Sequence, residues 1–85
     1  MARGRETTAV TRVEIEYCVP CGFLERAEEI QHALLSSLRE QLEEVALVTG
    51  DHGILAVRVE GETVFDKDDD EYDVDAIVRD VRERV

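Results

Sequence analysis

From residue 12 the chain alternates. Val13, Ile15 and Tyr17 are apolar while Arg12, Glu14 and Glu16 are charged, the period-two pattern of a strand with one face buried. A turn follows at Cys18-Val19-Pro20-Cys21-Gly22. The period then lengthens: Phe23, Ala27, Ile30, Leu34, Leu38 and Leu42 recur at spacings of 4, 3, 4, 4 and 4, with Leu35 widening the stripe. Glu25, Glu28, Glu29, His32, Ser36, Arg39, Glu40 and Glu43 occupy the opposite face, so the pattern predicts an amphipathic helix over 22–43. A short apolar strand is expected at 45–49 and another at 54–59, where Leu55, Val57 and Val59 alternate with Ala56, Arg58 and Glu60. Glu60-Gly61 reads as a tight hairpin turn, because glycine accepts the positive φ such turns demand. A last strand at 62–66 carries Val64 and Phe65. Asp73 is the expected N-cap of a final helix with Val74, Ile77, Val78, Val81 and Val85 turned inward.

The order β-α-β-β-β-α predicts an α/β chain of the two-layer, α+β kind. Alternating strands imply one solvated sheet face, so both helices should cover the other. Strands flanking a helix should be parallel. Placing the third strand beside the first gives a four-stranded mixed sheet of order 2-1-3-4. The step across one strand is about 10 Å, which the 50–53 loop and its flanks can span.

Composition narrows the function. The chain has 85 residues, and a core of that size buries only about 60–65% of the unfolded surface. That leaves no room for a second lobe or a large cofactor, and one domain over 11–85 is expected behind a disordered tail at 1–10. The tail has Arg3 and Arg5 with no apolar stretch behind them, unlike a secretory signal. No apolar run approaches the roughly 18 residues of a membrane span. A net charge of −11 argues against nucleic acid and anionic membrane as partners. The expectation is a cytoplasmic monomer without a cofactor. The 21 acidic residues stand against nine arginines and one lysine, Lys67, a balance that suits a salt-rich solvent in which the self-repulsion is screened.

The candidate chemistry lies in Cys18 and Cys21. A C-x-x-C at the junction of a predicted strand and helix has the context of a redox motif. The spacing lets the sulfurs close a disulfide over one turn, and a helix N-terminus favours thiolate over thiol. Pro20, just before the second cysteine, has a fixed φ that suits a first helical turn. Two other readings compete: half of a zinc site completed by His32 or His52 with carboxylates, and a buried pair acting as small hydrophobes. The parallel arrangement also carries the 50–53 loop to the edge where Cys18 ends, which lets Asp51 and His52 approach the dithiol and exchange a proton with it; the competing reading makes His52 an ordinary loop histidine in water. His32 falls on the polar helix face. The acidic run from Asp66 to Asp73 does not fit a calcium loop, since the sixth position is Glu71 and the twelfth is Ile77; it reads as a solvated connector.

Val13-Glu14-Ile15-Glu16-Tyr17-Cys18-Val19-Pro20-Cys21-Gly22-Phe23, Arg26-Ala27, Gly50 with Gly53, and Val57-Arg58-Val59-Glu60-Gly61 together resemble the selenoprotein W-related family, the Rdx or SelT/SelW/SelH proteins. The resemblance runs from about Thr11 to Val85. It implies a thioredoxin-like fold and a redox role, often with small-molecule thiols such as glutathione. Cys18 matches the family's first motif cysteine, and Cys21 the position that is selenocysteine in some members. The chain departs from the family at Asp66-Lys67, where Ser-Lys is common, and at Tyr72-Asp73, where Phe-Pro is. Pro20 is the only proline, and Ile54 stands near the place of the cis-proline that borders the site in thioredoxins.

Two functions follow as expectations. One is a thiol–disulfide oxidoreductase acting on a small-molecule thiol or a protein disulfide. The other is a protein-binding module whose surface changes when the pair oxidises. Exposure and the first-turn N–H groups of the helix point to Cys18 as the attacking sulfur, whereas the resemblance points to Cys21.

Overall fold

Among residues 11–85, which the computed structural model describes, the opening alternation becomes strand β1 (Thr11–Cys18). Helix α1 (Leu24–Leu38), strand β2 (Leu42–Gly50), strand β3 (Leu55–Val59), strand β4 (Glu62–Asp66) and helix α2 (Val74–Arg82) follow. The tail expected at 1–10 lies outside the described residues.

The sheet order is β2-β1-β3-β4, with β1 parallel to β2 and antiparallel to β3, and β3 antiparallel to β4. Val13, Ile15 and Tyr17 of β1 point into one core with Ala27, Ile30, Leu34 and Leu38 of α1. Ile77, Val78 and Val81 of α2 and Leu55, Val57, Val59 and Phe65 of the hairpin complete it. Both helices thus cover one face, and the other keeps the charged positions, where Arg58 pairs with Glu16 at 3.0 Å and Glu14 at 3.8 Å. This is the α+β arrangement of thioredoxin-like folds.

The helix is shorter than its pattern. It ends at Leu38 with Arg39 as C-cap, and the chain turns through 39–41 with Gln41 N–H donating to the Leu38 carbonyl at 2.8 Å. Leu42 opens β2 and is buried there, opposite Thr11. A full-length partner for β1 requires extended backbone from Leu42 onward, and the eight pairings from Thr11↔Leu42 to Cys18↔Gly50 outweigh another helical turn. Leu35 and Val85, expected inward, are exposed: Leu35 lies off the covered stripe, and Val85 follows the end of α2.

The turns obey their chemistry. Glu60 and Gly61 have φ of 50° and 86°, as a hairpin with two left-handed central residues requires. Asp73 caps α2, its Oδ1 accepting from Ala76 N–H at 3.2 Å. The acidic connector ties itself: Asp66 Oδ1 accepts from Asp68 N–H at 3.0 Å, and Asp70 Oδ2 from Asp66 N–H at 3.1 Å.

Candidate redox site

Strand β1 holds Cys18 to its last hydrogen bond, in which Cys18 N–H donates to the Ile54 carbonyl at 2.8 Å. The chain then leaves the sheet through a turn in which Gly22 N–H donates to the Val19 carbonyl at 3.2 Å. Pro20 is the second residue of that turn, where its fixed φ is favoured. Its expected place in a first helical turn is corrected, because α1 begins only at Leu24. Gly22 has φ of +78° with open space where a Cβ would stand; the left-handed backbone, not crowding, calls for glycine.

The turn brings the two cysteines to a Cα separation of 5.3 Å, joined as a disulfide, inside the range such bonds require. Their surroundings differ. Cys18 is 1% exposed, outside the main core cluster, whereas Cys21 is exposed. This reverses the expectation that Cys18 is the open sulfur, because β1 continues through Cys18 and the turn starts one residue later. Ahead of α1, Phe23 occupies the cap position without a side-chain cap. The first-turn N–H groups therefore receive no side-chain acceptor from the cap position.

Val19, 52% exposed, and Leu24, 43% exposed, flank Cys21 in sequence and form an apolar margin. Beyond Leu24 a cationic edge begins. The Arg26 guanidinium lies 5.6 Å from the Phe23 ring centroid and 5.2 Å from that of Tyr72, and Lys67 Nζ lies 5.6 Å from that of Phe23. Lys67 is brought here by its N–H donating to the Leu55 carbonyl at 2.9 Å, next to the residue that receives Cys18. Tyr72 donates its hydroxyl to Glu29 Oε1 at 2.7 Å. Burial, then that bond to a carboxylate, push its phenol well above the ordinary tyrosine range. Arg26, Lys67 and Phe23 come together only through the fold. The available signals in the sequence were the three-residue spacing of Phe23 and Arg26 and the singular lysine.

His52 reaches the expected edge but not the dithiol. Cys18 and Gly50 are register partners, so the 51–54 loop does adjoin the pair. Yet the imidazole is 92% exposed, and its neighbour is Asp51 Oδ1 at 3.5 Å. His52 has φ of 60° ahead of Gly53 at 76°, in a turn closed by Ile54 N–H donating to the Asp51 carbonyl at 3.3 Å. His32 is a surface residue beside Ser36. Among the described residues no group of three or more His, Cys, Asp and Glu side chains is gathered to hold a metal, so the zinc alternative finds no ligand set there. No helix of the described residues is long and apolar enough to cross a membrane. A concavity of about 430 Å³ lies away from the cysteines, at the start of β1 between Arg12, Glu14, Glu44, Arg58 and Glu60; it belongs to the solvated sheet face.

The chain is similar to known proteins over most of its length. A crystal structure of a protein from Bordetella parapertussis shares 31% identity, covering 88% of this chain and 98% of that one, with a TM-score of 0.82. A selenoprotein W-related protein from Vibrio cholerae, at 23% identity, covers 86% of this chain and 94% of its own with a TM-score of 0.79, a likeness of fold. No curated protein matches. The model of the Rdx family matches residues 12–83, and the chain belongs to that family.

Proposed function

We propose that the protein is a thiol–disulfide redox protein in which Cys21 reacts with the substrate and Cys18 resolves the product. The observation that carries this reading is the unequal exposure of a pair within disulfide reach. A thiolate must meet the substrate disulfide in line, so the exposed sulfur attacks. The enclosed sulfur is reached only from within, by its neighbour three residues on. Attack by Cys21 cleaves the substrate disulfide, forms a mixed disulfide and releases one thiolate; Cys18 then displaces the second. The family's placement of selenocysteine at the Cys21 position supports the same assignment. The uncapped start of α1 favours a thiolate in the turn ahead of it. The exposed Val19 and Leu24 beside Cys21 also favour a second reading, a redox-responsive module that binds a protein without turnover.

The test is to offer Cys18→Ser and Cys21→Ser an excess of a small disulfide. Cys18→Ser, which keeps the attacker, should accumulate a stable mixed disulfide at least ~10-fold faster than Cys21→Ser, as an activated thiolate outruns a buried thiol. The opposite order overturns the assignment. Rates no faster than that of free cysteine in both variants leave the binding module as the reading. For the oxidoreductase, a reduction potential near or below about −270 mV makes it a reductant, and one well above about −200 mV an oxidant.

A further inference from the structure

Resolution by Cys18 poses a problem of its own, since a thiol enclosed in the fold resists giving its proton to water. Glu16 stands two residues back on β1, and strand alternation places it on the face to which Cys18 belongs. Its direct partner on β2 is Val48, but its side chain does not lie there. A Cβ built on Gly50 would stand 2.6 Å from Glu16 Oε2 and 2.9 Å from its Cγ, and Gly50 is the register partner of Cys18. The side chain therefore leans along the strand toward the row of Cys18, into space that only glycine leaves open. Arg58 holds Oε1 at 3.0 Å, while Oε2 has no hydrogen-bond partner among the described residues. The side chain is 26% exposed, enough to pass a proton on to water. Around it, Arg58 on β3 and Glu14 on β1 are the charged neighbours on its face, Asp66 lies beyond Ala56 in its row, and Asp51 and His52 occupy the adjoining loop.

We infer that Glu16 is the proton acceptor for Cys18 in the resolving step, an inference that rests on the dithiol reading above. With the substrate held on Cys21, the Cys18 S–H proton passes to Glu16 Oε2. The Cys18 sulfur then attacks Cys21 Sγ and the Cys18–Cys21 bond forms. The bond from Cys21 to the substrate sulfur breaks, and its electron pair leaves on the substrate thiolate. The cysteine pair is oxidised by two electrons, the substrate disulfide is reduced by two, and Glu16 releases its proton to solvent. Arg58, bonded to Oε1, is the positioning residue that leaves Oε2 on the row shared by Gly50 and Cys18.

Dithiodipyridine separates the steps, because attack releases one equivalent of coloured thiopyridone and resolution the second. Glu16→Gln keeps the shape of the side chain. It should leave the first phase unchanged, slow the second about 100-fold at neutral pH, the lower end of general-base effects, and make that phase rise with hydroxide. Glu16→Asp, retaining a carboxylate, should restore part of the rate and the pH profile, a recovery that packing on Gly50 alone would not produce. A Glu16→Gln protein of native circular dichroism with both phases and their pH dependence unchanged overturns the inference while leaving the dithiol reading intact. So does a second phase slowed by His52→Asn instead. Wild-type protein that releases neither equivalent faster than free cysteine removes the dithiol reading and this inference together.

Discussion

Tyr72 ties the acidic connector to α1: its hydroxyl reaches Glu29, Arg26 lies over its ring, and its ring forms a T-shaped pair with Phe65, the centroids 6.3 Å apart. Tyr72→Phe should lower stability by about 1 kcal/mol at neutral pH, the usual worth of one hydrogen bond, read as a fall in melting temperature. Because the folded-state value of the phenol is raised, its contribution is fully present below the unfolded value of about 10 and is lost as pH rises through the folded value. Ultraviolet titration should accordingly show Tyr72 ionising above the ordinary range, and the variant should lose that part of the alkaline dependence. The site was only partly legible at this scale. Cys18 and Cys21 announce themselves because their spacing is local. Which sulfur faces outward depends on the Ile54 carbonyl, a distant group that holds β1 straight through Cys18. His52 was placed correctly by topology, but its direction follows from a left-handed backbone that no pattern of apolar positions records.

Helix α2 is the element whose reading came closest, since its cap and its buried face are both written within a few residues. Asp73→Ala removes the acceptor for Ala76 N–H and should cost about 1 kcal/mol, measurable by denaturant midpoint with an unchanged slope. Asp73→Asn, which keeps an acceptor, should recover most of it. Helix α1 shows the limit of the same reasoning. Leu42 continues the four-residue spacing from Leu38 and faces the core whether the backbone is helical or extended, so periodicity cannot detect the change of element between them. What decides it is pairing with β1, and that partner lies outside any local window. Strand order was recoverable because few connections fit the loop lengths, and each strand's apolar positions fix which side it turns to the helices.

Across the whole molecule, a net charge of −11 is opposed among the described residues by few close ion pairs, such as Arg84 with Glu62 at 3.6 Å. Repulsion among carboxylates is therefore the part of the stability that dissolved salt changes most. Screening shortens its range from about 30 Å at 0.01 M salt to about 3 Å at 1 M. Melting temperature should climb steadily from dilute buffer to molar KCl; a flat response would remove the reading of a chain suited to salt. The small ring closed between Cys18 and Cys21 bears on the same stability through a thermodynamic cycle. Oxidation and folding share their corners, so whatever the disulfide adds to the fold, the fold adds to the disulfide. Closing so short a loop takes only about 2 kcal/mol of entropy from the unfolded chain on the chain-entropy model. Any larger difference between the unfolding free energies of the oxidised and reduced forms must come from how well the native state houses an enclosed thiol at Cys18. Each 1.4 kcal/mol of that difference moves the couple by about 30 mV from the value of the same segment unfolded, so two melting curves, one for each redox state, measure how far the fold tunes its own electron affinity.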